Sequence, residues 1–234
     1  MSKRPSILVT CEHGGNRVPG SLAPLFRLHQ ERLESHQGWD PGALALARRL
    51  ARHLRAPLIA STTSRLVVEL NRSPHHRALL SDITRELTPQ QRTRLLERWY
   101  HPHRTSVIEA IETLLQARRQ PVVHVGVHTF TPVLDDRPRN ASIGLLYDPA
   151  RTAERDLCVR WQRELRRRLP EHRVRRNYPY RGRDDGLTTA LRRTFGADCY
   201  LGIELEVNQG LLSPNGRFPR PVTNAILDAF VRSI

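Results

Sequence analysis

Residues 202–210 read GIELEVNQG, and their alternation decides how the chain is interpreted. The apolar positions in and next to this stretch are Leu201, Ile203, Leu205 and Val207. A period of two is typical of a β-strand that buries one face. It places Glu204 and Glu206 together on the other face, just before a polar Asn-Gln-Gly turn. Because ligands of α/β enzymes bind at the carboxyl ends of strands, the stretch indicates either a catalytic strand or an edge strand with two solvated glutamates.

Strand-like and helix-like segments alternate outward from this stretch. Strands are predicted at 6–10, 56–62, 65–70, 121–128, 143–147 and 172–176, and helices at 41–54, 82–99, 105–118, 150–169, 187–195 and 224–234. This alternation favours an α/β fold in three layers, with a mixed, mostly parallel sheet and helices on both faces. The 234 residues suit one domain covering 1–234.

The chain is strongly basic, with a formal net charge of +15 and a pI near 11.2. A nucleic-acid-binding protein is therefore an alternative of another class. Lys3 is the only lysine, however, and the arginine runs lack interleaved aromatic residues. This pattern is more typical of a compositional bias, or of a basic face that attracts anionic substrates, than of a nucleic-acid interface.

No apolar run approaches the roughly 18 residues that a membrane span requires. The first residues also lack the apolar core of a signal peptide, so we expect a cytoplasmic protein with no membrane partner. The three cysteines are widely spaced and match neither a disulfide framework nor a metal clip. Cys11 lies two residues before His13, which leaves a Cys-His hydrolase as an open alternative.

Polar residues follow the ends of several predicted strands. His13 follows the first strand, Asn71 and Arg72 follow the third, His128 ends the fourth, and Glu206 lies near the end of the 202–210 strand. Two histidines and a carboxylate from different strands can hold a catalytic zinc, which leaves one position for water. We therefore predict a zinc site at this edge of the sheet, with the bound water acidified by the metal.

Five motifs carry a family resemblance. They are EHGGNRVP at 12–19, SRLVVELNRS at 64–73, GVHTFTP at 126–132, NYPYRGRDDG at 177–186 and YLGIELEVNQ at 200–209. In this order, over almost the whole chain, they resemble the N-formylglutamate amidohydrolase family. That family is similar to zinc carboxypeptidases and to the aspartoacylase group. The resemblance implies a zinc-carboxypeptidase-like, phosphorylase/hydrolase-like fold and a zinc hydrolase that cleaves the amide between a small acyl group and an amino acid.

The resemblance also implies residue roles, and the side-chain chemistry agrees with them. His13 and His128 would bind zinc, and Glu206 would act as the general base. Arg72 offers a planar fork for a substrate carboxylate, and Asn71 can add a hydrogen bond. The loop 177–186 could form a lid that brings Arg181 to the substrate. Glu204 is the rival base, or a partner that orients a metal-binding histidine.

The third zinc ligand is the point at which the chain departs from related families. They use His-x-x-Glu, whereas residues 13–16 read HGGN, and an amide is a poor zinc ligand. Asp40, before a predicted helix, is the preferred third ligand, with Glu12 and Asn16 as alternatives. Asp40 is also interpreted as the N-cap of that helix.

The leading hypothesis is a zinc-dependent amidohydrolase acting on a small molecule, an N-acyl amino acid such as N-formylglutamate. The metal would activate water and Glu206 would accept its proton. The alternative within the same fold is a zinc hydrolase of short or cell-wall peptides.

Overall fold

A six-stranded sheet forms the centre of the computed structural model, which describes residues 5–118 and 120–234. In the order β2-β1-β3-β8-β6-β7, every neighbouring pair is parallel except β8 and β6. β4 and β5 form a separate antiparallel pair. The strands are β1 Ser6–Cys11, β2 Leu58–Ala60, β3 Val122–Phe130, β4 Val133–Leu134, β5 Arg137–Pro138, β6 Ile143–Leu146, β7 Val174–Arg176 and β8 Tyr200–Asn208.

Helices connect most of the strands and cover both faces of the sheet. They are α1 Gln30–Glu34, α2 Ala43–Leu54, α3 Asp82–Arg85, α4 Pro89–Leu95, α5 His101–Arg118, α6 Thr152–Arg168, α7 Leu187–Thr194 and α8 Arg220–Val231, with a π-helical turn at Leu96–Tyr100 and 3-10 turns at Gly20–Phe26 and Gln209–Leu211. No helix among the described residues is both long enough and apolar enough to cross a bilayer.

The alternation of side chains along the strands divides the core between the two faces. Val9, Val125 and Ile203 pack with the apolar sides of α2, α6 and α8. Leu8, Val122 and Tyr200 instead pack against α5 and α7. The predicted three-layer α/β fold with a mixed, mostly parallel sheet is therefore confirmed.

The pairing of β3 with β8 sets the positions that matter for function. His128 lies opposite Glu206, and Gly126 lies opposite Glu204. Both strands run in the same direction, so His128 and Glu206 reach the same edge of the sheet. β3 continues two residues beyond His128, to Phe130, whereas the sequence predicted that the strand would end at the histidine.

The prediction of a strand over 65–70 is wrong. This segment consists of turns and irregular backbone, and its apolar residues pack outside the sheet, in a cluster with Phe26 and Tyr100. Leu66, Val67, Val68 and Leu70 are buried there. Consecutive burial produces the same apolar run as a central strand, so periodicity alone did not distinguish the two.

Asp40 is not the N-cap of α2. The cap is Gly42, whose φ of 83° lies in the left-handed region that favours glycine. The Asp40 carbonyl accepts a hydrogen bond from the Ala43 amide, but its carboxylate turns toward His13 and His128.

Candidate active site

A cavity of about 130 Å³ lies at the carboxyl ends of β1, β3 and β8. It brings together the residues that the sequence placed at separate strand ends. Its lining is polar and is formed by His13, Asp40, Arg65, Asn71, Arg72, His128, Thr129, Tyr180, Arg181, Asp184, Asp185, Glu204 and Glu206.

His13, Asp40 and His128 form a buried cluster in the wall of this cavity. One oxygen of Asp40, Oδ2, lies 3.3 Å from His13 Nδ1 and 3.1 Å from His128 Nδ1. The two imidazole rings are 5.1 Å apart between centroids. The backbone amide of Thr129 donates to the same Asp40 oxygen at 3.3 Å, which fixes the carboxylate. Each of the three residues offers a ligand atom, and these atoms lie within 4.8 Å of one another.

Two further carboxylates lie near the Nε2 atoms of the imidazole rings, on the side away from Asp40. Glu69 hydrogen-bonds His13 through Nε2, and Glu12 Oε2 lies 3.2 Å from His128 Nε2. If Nε2 of each ring carries the proton, Glu69 accepts a hydrogen bond from His13, Glu12 lies beside the Nε2 edge of His128, and the unprotonated Nδ1 of each ring faces Asp40. A carboxylate behind a metal-binding histidine fixes its tautomer and orientation in this way.

The donor set fits a metal ion. With both Nε2 atoms protonated, the two Nδ1 lone pairs and Asp40 Oδ2 are three acceptors that face one another, an arrangement that a cation between them stabilises. Tetrahedral zinc, with bonds of about 2.0–2.1 Å, places its ligand atoms about 3.3 Å apart. The two distances from Asp40, 3.3 and 3.1 Å, agree with this spacing.

The charges around the cluster favour a cation as well. Burial opposes a proton on His128, yet Asp40 and Glu12 raise the pKa of its imidazole well above the usual value. Burial and Arg65 also oppose a proton on His13, and Glu69 and Asp40 outweigh them, so that the pKa of His13 is raised. Carboxylates that stabilise a buried imidazolium also stabilise a bound metal ion.

Glu206 lies beside this cluster with a free carboxylate oxygen. It is 5% exposed, and its Oε2 has no hydrogen-bond partner among the described residues. Burial raises the pKa of Glu206 to about 8, with smaller contributions from Asp40 and Glu204 that His128 opposes. A carboxyl group of this kind can exchange a proton near neutral pH.

Glu204 lines the same cavity but does not hold a histidine. Its Oε1 accepts a hydrogen bond from the Thr188 hydroxyl at 3.2 Å. The prediction that Glu204 orients a metal-binding histidine is wrong, because Glu204 lies opposite Gly126, two residues before His128. Glu12 and Glu69 occupy that position instead.

Asn71 and Arg72 form a turn that connects the cavity to α7. Asn71 Oδ1 accepts from the Leu187 amide at 2.7 Å, and Arg72 Nη1 donates to the Asp185 carbonyl. The amide of Ser73 donates to the Asp185 carboxylate at 2.9 Å. One guanidinium nitrogen of Arg72 is therefore engaged, and its other N–H groups are available to a ligand.

The loop 177–186 contributes part of the cavity wall. Tyr180, Arg181 and Asp184 line the cavity, whereas Arg183 lines a different surface pocket. The backbone of Gly182 lies against the backbone of Tyr147. A Cβ at Gly182 would lie 2.1 Å from the Tyr147 amide nitrogen, so only glycine fits. The loop is thus held against the body of the protein at its centre, and its role as a lid stays a prediction.

Several other polar residues lie outside the cavity. His101 is exposed, and His103 is buried 3.6 Å from Glu12, behind the histidine cluster. Asn16 does not line the cavity. Cys11 is fully buried in the core beside α2, and burial raises the pKa of its thiol well above the usual value, which disfavours a thiolate nucleophile.

The sequence interpretation missed Arg65 and Glu69. Arg65 donates to Glu69 Oε2 from Nε and Nη2, at 2.8 and 2.5 Å, and its Nη1 lies 3.4 Å from Asp40 Oδ1. The available signal was a pair of opposite charges, four residues apart, that flank an apolar run directly before Asn71. A charged residue in a buried run requires a partner, and here the partners are each other and the histidine cluster.

The family model described as N-formylglutamate amidohydrolase matches residues 6–213. The chain belongs to the N-formylglutamate amidohydrolase family. As a member of this family it is a hydrolase that acts on amide bonds, and its substrate is a small molecule. No curated protein matches the chain significantly.

Two solved structures share the fold over most of their length. A gene product of Agrobacterium tumefaciens is 30% identical, with a TM-score of 0.79, over 98% of this chain and 90% of that one. An N-formylglutamate amidohydrolase from Ralstonia eutropha is 21% identical, with a TM-score of 0.71, over 99% of this chain and 92% of that one.

Proposed function

We propose that this member of the N-formylglutamate amidohydrolase family is a zinc enzyme that removes the formyl group from an N-formyl amino acid such as N-formylglutamate. One observation carries the proposal. The buried His13, Asp40 and His128 cluster adjoins the free carboxylate of Glu206 in an arginine-lined cavity.

His13, Asp40 and His128 would hold the zinc ion. When bound, zinc polarises the substrate carbonyl and makes water more acidic. Asp40 supplies the anionic ligand that the HGGN sequence lacks. Glu69 accepts from Nε2 of His13, and Glu12 lies 3.2 Å from Nε2 of His128, so both carboxylates favour imidazoles whose Nδ1 atoms face the cluster.

Glu206 is proposed as the group that moves the proton. Its carboxylate accepts a proton from the attacking water as the water oxygen bonds to the formyl carbon. It then delivers that proton to the departing nitrogen as the carbon–nitrogen bond breaks. The products are formate and the free amino acid, and Glu206 returns to its starting state. Burial raises the pKa of Glu206 above its usual range, which makes its carboxylate a stronger proton acceptor than an exposed glutamate.

Arg72, Arg181 and Asn71 are proposed to bind the substrate. Arg65 also lines the cavity, but Glu69 and Asp40 already occupy its guanidinium. Arg72 and Arg181 therefore supply the positive charge available to substrate carboxylates, which favours an acidic amino acid. The small cavity, about 130 Å³, favours an amino-acid derivative over a peptide.

Metal analysis combined with an activity assay tests the proposal. We expect about one zinc per chain and release of formate from N-formyl-L-glutamate, with both lost in a strong chelator and activity restored by added zinc. His128→Ala should lose the stoichiometric zinc. His101→Ala is the matched control, because His101 is exposed and outside the cavity.

Active protein without bound metal would overturn the zinc assignment, and unchanged zinc in His128→Ala would overturn the ligand assignment. Faster hydrolysis of short peptides than of N-formyl amino acids would overturn the substrate assignment.

A further inference from the structure

A second and larger cavity lies in a groove between α2 and α8. Its volume is about 690 Å³, within the range of small-molecule sites. No residue of this groove also lines the candidate active site. The groove is lined by Ala45, Leu46, Arg48, Arg49, Arg52, His53, Arg217, Phe218, Arg220, Thr223, Asn224 and Leu227.

The groove gathers positive charges that no acidic residue in its lining neutralises. It is lined by five arginines and by no aspartate or glutamate. Within residues 5–118 and 120–234, none of the five guanidinium groups forms an ion pair with a carboxylate. Elsewhere in the chain arginines do pair, as Arg32 does with Asp82 and Arg192 with Glu154. Like charges held together repel one another, so this arrangement favours an anionic ligand.

Two further features direct this charge into the groove. Arg49 donates to the side-chain oxygen of Asn224 at 2.5 Å, which fixes one guanidinium across the gap between the two helices. α8 begins at Arg220, which lines the groove, so the amino end of this helix lies beside it. The amino end of a helix carries a partial positive charge and favours anions.

Favourable interactions with the helix dipoles explain the positions of only some of the basic residues in the groove. Arg52 and His53 lie in the last turn of α2, where positive charge complements the helix dipole. Arg220 is at the opposite end of its helix, where a positive charge is unfavourable, and Arg217 lies in the loop before α8. Arg48 and Arg49 are in the middle of α2. An anionic ligand accounts for all of these positions together.

We propose that the α2–α8 groove binds a small polyphosphate anion. Phosphate groups offer tetrahedral sets of acceptor oxygens, so one chain can accept hydrogen bonds from guanidinium groups on both helices at once. A tripolyphosphate chain carries several negative charges, which match the five arginines. This site is separate from the proposed amidohydrolase reaction and does not depend on it.

Calorimetric titration of the full chain with inorganic tripolyphosphate at physiological salt tests the proposal. We expect one binding site per chain, with weaker binding of citrate, whose charges are carboxylates. The groove variant is the triple substitution Arg48→Gln, Arg52→Gln and Arg220→Gln. We expect it to bind tripolyphosphate at least about thirtyfold more weakly, since hydrogen bonds to charged groups contribute substantially to affinity.

The control variant removes the same charge from exposed positions outside the groove. It is the triple substitution Arg27→Gln, Arg94→Gln and Arg163→Gln. It should bind tripolyphosphate as the unmodified chain does, within about threefold. Arg217→Gln is a second groove variant that leaves both helices unaltered, and it keeps the test decisive if the triple variant unfolds.

Several outcomes would overturn the proposal. They are no binding of tripolyphosphate, equal loss in the groove and control variants, or citrate binding as tight as that of tripolyphosphate. Preferential binding of a duplex oligonucleotide that weakens equally in both variants would indicate a diffuse basic surface instead of a groove site.

Discussion

At the scale of single residues, the candidate active site is built from two layers of acidic groups around two imidazoles. Asp40 lies between the Nδ1 atoms of His13 and His128, and Glu69 and Glu12 lie beyond the Nε2 atoms. Such an excess of buried carboxylates is costly unless cations or protons compensate it. Arg65 supplies one compensating charge, and the proposed zinc ion supplies the rest.

Glu206 gives the sharpest test of the proposed chemistry. Glu206→Gln keeps the shape of the side chain but removes its ability to accept a proton. We expect kcat for N-formyl-L-glutamate to fall by about 10²–10⁴ while the zinc content stays unchanged. Steady-state assays of formate release, with zinc measured on the same samples, check this.

Glu204→Gln is the matched control for Glu206→Gln, because Glu204 lines the same cavity on the same strand but hydrogen-bonds to Thr188. We expect a loss of less than about tenfold. A larger loss in Glu204→Gln than in Glu206→Gln would assign the base to Glu204.

Asp40 and Glu12 are distinguished by their effect on zinc affinity. Asp40→Asn replaces the proposed anionic ligand, so stoichiometric zinc should be lost. Glu12→Gln removes only the carboxylate behind His128, so zinc affinity should fall by about 10–100-fold but one zinc should still bind at saturation. Competition with a chromophoric chelator measures both affinities. Glu34→Gln, at an exposed position, is the control. The reverse result would make Glu12 the third ligand.

The sequence predicted these residues because polar groups at the ends of apolar strands stand out in a linear pattern. His13 lies shortly after such a run, His128 and Glu206 lie near the ends of theirs, and the cavity brings the three together. Asp40 was harder to interpret, since an aspartate before a helix is also a normal cap. The tertiary contact with His128, 88 residues away, decided its position, and a contact at that separation leaves no local signal.

At the scale of secondary structure, the sequence predicted β3 and β8 as strands but could not predict the register in which they pair. That register places His128 opposite Glu206 and leaves Glu204 opposite Gly126. The segment 65–70 was predicted to be a strand of the sheet but is not one. Its apolar residues pack against Phe26 and Tyr100 instead of entering the sheet, because a second apolar cluster outside the sheet buries them equally well.

Gly144 on β6 couples the sheet to the loop that lines the cavity. A Cβ at this position would lie 2.0 Å from the Tyr178 carbonyl oxygen and 3.2 Å from Glu206 Cβ. Gly144→Ala therefore forces backbone to move, and we expect the free energy of unfolding to fall by about 1–3 kcal/mol. Because the loop carries Tyr180 and Arg181, KM should also rise. Urea unfolding and steady-state kinetics measure the two effects.

Gly20→Ala is the matched control for Gly144→Ala. No heavy atom lies within 4 Å of a Cβ built at Gly20. We expect its stability and KM to stay close to those of the unmodified chain. Equal destabilisation by the two substitutions would show that the close approach of Tyr178 to Gly144 does not constrain the loop.

At the scale of the whole molecule, the charge is distributed unevenly between two regions. Four carboxylates are buried in and around the candidate active site, those of Glu12, Asp40, Glu69 and Glu206, whereas the α2–α8 groove is lined by five arginines and no acidic residue. The net charge of +15 describes neither region. Composition could indicate an attraction for anions, but only the packing of α2 against α8 shows where these arginines gather.

The stability of the whole fold should depend on pH through His124. This imidazole is fully buried between the Thr10 hydroxyl of β1, at 2.8 Å, and the Tyr200 hydroxyl of β8, at 2.7 Å. Burial lowers its pKa to about 4, with Arg192 acting in the same direction and Glu12 opposing it. The unfolded imidazole has a pKa of about 6.5.

Between pH 6.5 and 4 the unfolded chain therefore binds a proton at His124 that the folded chain does not bind. Stability from this group is fully present above about pH 6.5 and is lost as the pH falls to 4, by about 3 kcal/mol in total. In His124→Gln the decline of unfolding free energy over this window should be shallower by about that amount, even if the variant is less stable at pH 7. Urea unfolding at closely spaced pH values measures the slope, and His36→Gln, at an exposed position, is the control. Equal slopes in the unmodified chain and His124→Gln would mean that the bridge across β1, β3 and β8 does not hold His124 neutral.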